Sequence, residues 1–221
     1  MHDNVLQILK GQEIIPFSKN KPKQLVIFLH GYGSNGADLI SLAREFSQTL
    51  PDAQFISTNA PFTCEESVFG FQWFSLKYRD EDYLFSGLEK ASILLNEFID
   101  QQLERFSFTE DNLILIGFSQ GTMMALHVGP RRNKACKIIG YSGILIKGQK
   151  LLTEAKSKPK ILMIHGKLDY VLEHKYFESS ILALKNLSFP VDAYSYNDLG
   201  HTIDYRGIAV AQDFLKANFT A

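Results

Sequence analysis

Apolar residues along the chain fall into short unbroken runs separated by longer stretches of helical period. Gln24–Leu29 (Q-L-V-I-F-L), Leu113–Ile116 (L-I-L-I), Lys137–Tyr141 (K-I-I-G-Y) and Lys160–Ile164 (K-I-L-M-I) read as strands covered on both faces. Gln54–Ser57 is a shorter strand, and Val191–Tyr196 alternates as a strand nearer an edge does. Between the strands, Ala37–Gln48 is amphipathic, with Leu39, Leu42, Ala43 and Phe46 on one side. Leu84–Phe106 predicts a long helix burying Leu88, Ala91, Ile93, Leu94, Leu95, Phe98, Ile99 and Leu103. Gln120–Val128, closed by Gly129-Pro130, then Lys175–Leu187 and Ile203–Phe219 are further helices. Val5–Phe17 is expected to supply one or two short strands with a turn at Lys10-Gly11-Gln12, and Lys147–Ala155 a loop with a helical turn. Phe62–Tyr83 has no clean period, yet it carries Phe62, Phe69, Phe71, Trp73, Phe74, Tyr78 and Tyr83. Long irregular segments with their own aromatic content are more often functional than idle.

Strands alternating with helices imply a mostly parallel central sheet with helices on both faces. No repeat, low-complexity run or linker divides the chain, so the expectation is a single α/β domain over residues 1–221 without a large lid domain. Sites in such sheets form beyond the carboxyl ends of the strands, where the connecting loops converge. The first buried strand runs into His30-Gly31-Tyr32-Gly33, and Ile161–Ile164 into His165-Gly166-Lys167-Leu168-Asp169. Val191–Tyr196 leads to Asn197-Asp198-Leu199-Gly200-His201. The strand Leu113–Ile116 leads to Gly117-Phe118-Ser119-Gln120-Gly121, a G-x-S-x-G match between a strand and a helix. A serine on such a sharp turn is held in a strained conformation that projects its hydroxyl from the sheet, and glycines two before and two after it relieve mutual crowding. The helix that follows aims its first amides at the same spot. A serine, an acid and a histidine therefore stand at three strand ends, in the order Ser…Asp…His.

Composition narrows the partners. A net charge of −1, with no cluster of lysine or arginine, gives no reason to expect nucleic acid. The first residues lack the basic start and apolar core of a signal peptide, and no apolar segment approaches membrane-spanning length, so a cytoplasmic location is expected. Cys64 and Cys136 fit a reducing compartment better than a disulfide framework. The scattered histidines show no metal-binding spacing, and neither metal nor cofactor is expected.

The chain resembles the phospholipase/carboxylesterase group of α/β-hydrolases, which includes the acyl-protein thioesterases. The matching pieces are L-H-G-Y-G-S-N-G-A-D-L (29–39), G-F-Q-W-F (70–74), I-G-F-S-Q-G (116–121), H-G-K-L-D-Y-V (165–171) and L-G-H-T-I (199–203). The group usually has glycine where this chain has Thr122 and often proline where it has Glu173, and residues 1–16 match nothing in it. The resemblance implies a serine esterase with Ser119 as nucleophile, His201 as general base and Asp169 orienting the imidazole. It also implies an oxyanion hole built from the amides of Gln120 and Tyr32, where the side chain at 32 is free to vary. Trp73 would lie beside the serine, and Phe74 and Leu168 are further candidates for substrate contact, although the aromatic segment Phe69–Phe74 reads equally as core. Substrates would be small-molecule or lipid esters or an S-acylated protein, and the chain would act as a monomer or homodimer.

The remaining histidines and acids have other roles open to them. His165 reads as support for the acid loop, His30 as a brace for the glycine-rich loop, His127 as a histidine of a helix, and His2 and His174 as solvent-facing. Asp198 and Asp204 flank His201, but close neighbours in sequence seldom meet the same ring as a triad partner must. A silent hydrolase fold used for binding, or peptide or lactone hydrolysis on the same fold, are the alternative functions.

Overall fold

The computed structural model describes residues 9–218. Its strands are β1 (Gly11–Ile14), β2 (Gln24–Leu29), β3 (Ala53–Thr58), β4 (Phe62–Thr63), β5 (Phe71–Gln72), β6 (Leu113–Phe118), β7 (Lys137–Tyr141), β8 (Lys160–Gly166) and β9 (Val191–Tyr196). The helices are α1 (Gly36–Leu39), α2 (Ala43–Phe46), α3 (Glu81–Phe106), α4 (Gln120–Arg131), α5 (Leu151–Glu154), α6 (His174–Asn186) and α7 (Tyr205–Asn218). One sheet runs β1-β3-β2-β6-β7-β8-β9, parallel throughout except for β1, which pairs antiparallel with β3 at one edge. β4 and β5 form a separate small hairpin.

The two faces of the sheet follow from the period of two along each strand. Leu25, Ile27 and Leu29 of β2 and Leu113 and Leu115 of β6 share one core with α3, α4 and α6, through Leu95, Met124 and Phe177 among others. Val26, Phe28, Ile114 and Ile116 point the other way and pack with Phe46 of α2 and Phe214 and Leu215 of α7. Covered on both sides, these strands read as unbroken apolar runs, whereas β9 pairs with β8 alone and exposes its four central residues.

Several boundaries depart from expectation for local reasons. Ala37–Gln48 is not one helix: a 3-10 turn at Ile40–Leu42 separates α1 from α2, and the Ser41 hydroxyl donates to Asp38 O, competing for the carbonyls that a continuous helix needs. α3 starts earlier than its apolar pattern because Asp80 caps it, accepting from Tyr83 N at 2.8 Å. Ile93, expected inside, is 60% exposed on the side of α3 away from Leu88 and Leu95. α4 carries Pro130 within its last turn, and Arg131 Nη1 donates to His127 O there. The expected turn at Lys10–Gln12 is instead the start of β1, where a Cβ on Gly11 would lie 2.2 Å from Ser57 O. The rest of that expectation, over Val5–Ile8, lies outside the described residues, as does His2.

Two glycines of α4 test how far backbone contact governs the fold. A Cβ on Gly121 would meet Leu29 O at 1.8 Å, while one on Gly129 would meet side chains alone, the movable Ile138 Cδ1 at 2.5 Å and Cys136 Sγ at 3.3 Å. Gly121→Ala is expected to cost upwards of about 3 kcal/mol and Gly129→Ala under about 1 kcal/mol, because only the former forces α4 off β2. Urea midpoints measured side by side check this, and equal losses would refute it.

Candidate active site

Ser119 sits between the end of β6 and the first residue of α4 with φ 53 and ψ −115, and it is 8% exposed. A non-glycine residue held there stores strain and needs its surroundings to enforce it. Ser119 N donates to Tyr141 O at 2.9 Å, and Thr122 Oγ1 donates to the same carbonyl at 2.9 Å, so β7 holds both ends of the turn. The flanking glycines have separate reasons. A Cβ on Gly117 would lie 2.4 Å from Thr122 N and 2.5 Å from Gly121 C, whereas Gly121 is pressed against Leu29 O and His30 O at the end of β2. Thr122 itself fits because Gly140 and Gly143 leave room: a Cβ on either would come within 2.4 Å of its side chain.

The glycine-rich loop after β2 lies directly against the serine. A Cβ on Gly31 would be 3.3 Å from Ser119 Cβ and 3.0 Å from the Phe118 ring. Among the described residues, neither the Tyr32 nor the Gln120 amide donates to a protein acceptor. The His30 ring braces this loop. Its Nε2 accepts from Ala60 N at 2.9 Å, which leaves the proton on Nδ1 to donate to Gly31 O at 2.7 Å. Burial pushes the His30 imidazole below its ordinary range, in keeping with that neutral tautomer. Trp73, fully buried, donates from Nε1 to His30 O at 3.0 Å.

The Gln120 side chain clamps the aromatic segment. Its Oε1 accepts from Trp73 N at 2.8 Å and its Nε2 donates to Phe74 O at 2.7 Å. The hairpin of β4 and β5 pairs its backbone with the glycine-rich loop, Gly33 N to Phe71 O at 2.9 Å and Phe71 N to Ser34 O at 2.8 Å. The irregular segment is thus tied to the loop beside Ser119, with Phe74 buried and Val68 and Phe69 nearly fully exposed between the hairpin strands. Burial, and then the adjacent Cys64, push the Tyr32 phenol up. Cys64 and Cys136 are both free, and burial pushes the Cys136 thiol up to about 12.

The acid and histidine loops meet by backbone pairing. Lys167 N donates to Tyr196 O at 2.8 Å and Leu168 N to Leu199 O at 2.9 Å, and a Cβ on Gly166 would lie 2.1 Å from Leu199 O. This brings His201 Nδ1 to 2.7 Å from Asp169 Oδ2. Asp169 Oδ1 accepts from Val171 N at 2.9 Å and Leu172 N at 2.8 Å, and its side chain is wholly buried. The other face of the His201 ring lies 5.0 Å from the Phe118 ring, one residue before Ser119. Asp198 and Asp204 are engaged elsewhere: Arg206 reaches Asp204 at 2.6 Å and Asp198 at 2.9 Å. Leu168 is 45% exposed on the acid loop. His127 is buried in α4 against Phe85, and burial pushes it down to about 3. His174, expected at the surface, opens α6 half-buried with its ring 6.0 Å from His165.

The structural use of the Gln120 side chain was not legible in sequence, because its partners lie 46 and 47 positions away. Gln120→Ala would strand a buried N–H and C=O at Trp73 and Phe74, each costing about 1–3 kcal/mol. A fall of at least about 2 kcal/mol in unfolding free energy is expected from denaturant titration; Gln120→Glu, which cannot donate to Phe74 O, should not restore it.

Comparison with known proteins gives the family and the fold. The pattern of the phospholipase/carboxylesterase family matches residues 10–219. The chain is 27% identical to Esterase YpfH of Escherichia coli (strain K12), over 94% of this chain and 89% of that one. It is 28% identical to Acyl-protein thioesterase 1 homolog 1 of Dictyostelium discoideum, over 80% of this chain and 82% of that one. The crystal structure of esterase PE8 superposes with a TM-score of 0.91 at 35% sequence identity, covering 96% of this chain and all of the other (100%). The chain therefore belongs to the phospholipase/carboxylesterase family, has the α/β-hydrolase fold, and is a carboxylic ester hydrolase.

Proposed function

We propose that this chain hydrolyses esters and thioesters of apolar acyl groups through a Ser119–His201–Asp169 relay and an acyl-enzyme intermediate. The observation that carries the reading is the 2.7 Å contact between His201 Nδ1 and the buried Asp169 Oδ2, with the His201 ring against Phe118, the neighbour of a strained Ser119. With Nδ1–H committed to the carboxylate, Nε2 is the nitrogen left to accept the Ser119 proton as Oγ attacks the substrate carbonyl. The resulting oxyanion is held by the Tyr32 and Gln120 amides, and each such donor is typically worth ~10²–10³ in turnover. Collapse breaks the bond to the alcohol or thiol, which leaves with the proton from His201. Water then attacks the acyl-serine and gives a proton to His201 Nε2, and the acid departs as His201 passes that proton to Ser119 Oγ.

Leu168 on the acid loop and Val68 and Phe69 on the β4–β5 hairpin are exposed apolar side chains whose surface is available to an acyl chain. Each methylene such a surface buries favours a longer acyl chain by up to ~0.8 kcal/mol. Trp73 and Phe74, being buried, act on the substrate by fixing the loop beside the serine. Ser119 is 8% exposed and the His201 side chain 18%, so both reach the surface, which supports an open site. An open site admits an acylated cysteine on a protein surface, the substrate class that the name of the Dictyostelium relative carries.

Turnover of p-nitrophenyl esters from acetate to decanoate is expected to peak at medium chains and to fall at least ~10³-fold in Ser119→Ala. A fluorophosphonate should label wild type at Ser119, and an S-acyl peptide should be cleaved by the same residue. Absence of labelling in folded protein would favour a binding role and end the esterase mechanism. The Tyr32 hydroxyl is buried without a hydrogen-bond partner, so Tyr32→Phe should keep full turnover if only the amide acts. A large loss there would assign the hydroxyl a role in the chemistry.

A further inference from the structure

Asp169 is contacted by a second imidazole besides His201. His165 Nε2 lies 3.3 Å from Asp169 Oδ2 and 2.8 Å from Leu172 O, and both side chains, His165 and Asp169, are 0% exposed. Each of those neighbours can only accept, so Nε2 carries the proton, which it donates to Leu172 O with its positive edge beside Asp169 Oδ2. The carboxylate receives Val171 N and Leu172 N on Oδ1 and His201 on Oδ2, and the His165 ring edge adds a close polar neighbour to Oδ2. The remaining nitrogen, His165 Nδ1, is buried with no hydrogen-bond partner, and the ring packs on Phe177 at 5.1 Å. An apolar side chain would fill that space without an orphaned acceptor, so the polar contribution of this ring is its Nε2–H alone.

We propose that His165 is a positioning residue for Asp169, whose Nε2–H, donated to Leu172 O, holds the loop that aims the carboxylate at His201 and sets a positive edge beside its negative charge. The inference rests on the Ser119–His201–Asp169 reading above. By bonding Leu172 O next to Asp169, His165 closes the loop 169–172 whose amides grip the acid. The titratable groups facing it are Asp169 and His201 on one side and His174, paired with Glu178 at 3.6 Å, on the other. Burial pushes His165 down, so the neutral donor persists through the working range.

Loss of this donor leaves the carboxylate charge to act on His201 alone. The imidazolium of His201 is then held more tightly, and the acid limb of the pH profile moves upward. In His165→Leu, kcat for a p-nitrophenyl ester should fall roughly 10- to 100-fold with KM little changed, since a small misplacement of the acid is enough. The acid limb of kcat/KM should rise by about half a unit or more. His165→Gln, whose amide nitrogen falls near the place of Nε2, should restore both. A merely structural role would lower stability and leave the limb in place, so a wild-type profile in folded His165→Leu overturns the proposal. If His165→Leu does not fold, His165→Asn against His165→Gln decides: the Asn amide stops short of Asp169, and profiles identical to wild type in both overturn it. Asp169→Asn separates the two readings. Full activity there would remove the relay itself, whereas an inactive Asp169→Asn beside a normal His165→Leu removes only the role of His165.

Discussion

The end of β2 and the start of α4 touch backbone to backbone, and the rest of the site is laid out from that contact. With no side chain on Gly121, α4 sits on the carbonyls of Leu29 and His30. The same approach sets the serine turn next to the glycine-rich loop that leaves β2, with Gly31 against Ser119. Every group proposed to meet a substrate carbonyl lies within this small region or is aimed at it from β8 and β9. Interiors at crystal-like density do not deform gradually, so a methyl group at this point would displace a whole helix.

Around that contact, polar groups serve as fasteners between segments distant in sequence. One carbonyl, Tyr141 O, accepts from both Ser119 N and Thr122 Oγ1, which balances the strain at Ser119 with two bonds from a neighbouring strand. Thr122 stands where relatives usually have glycine, and the room for it comes from Gly140 and Gly143 on the next strand and loop. Glu173, where proline is common, begins α6 with φ −54, a value proline itself would impose, and its carboxylate pairs with Lys175 at 2.9 Å. Both departures are absorbed locally and leave the serine and acid loops intact.

Much of this was legible in the chain. Unbroken apolar runs located the buried strands because a strand covered on both faces has no polar side to show, and the loops after them held the serine and the acid, while the histidine followed the alternating edge strand. Less legible were features whose partners lie far along the chain. Nothing near Gln120 announces that its amide will pair with Trp73 and Phe74, and nothing near Arg206 announces that it will take both Asp198 and Asp204. The break in the helix after Asn35 turned on one serine hydroxyl, a competition too local for an apolar period to register. The surface assignment of His174 failed because α6 begins against β8, so its first residue packs on His165 rather than facing water.

The sheet order places the proposed base next to an edge of the sheet. His201 follows β9, the last strand, which has a neighbour on one side only and shows most of its residues to solvent. Ser119 follows β6, flanked by β2 and β7 and buried between helices. Strands at a sheet edge open at lower free energy than those at its centre. The nucleophile and the base therefore belong to regions of unequal durability, and the edge, not the core, sets how much heat or denaturant the working site withstands. A molecule with β9 frayed would keep its apolar centre, its helices and its serine turn, and would be inert.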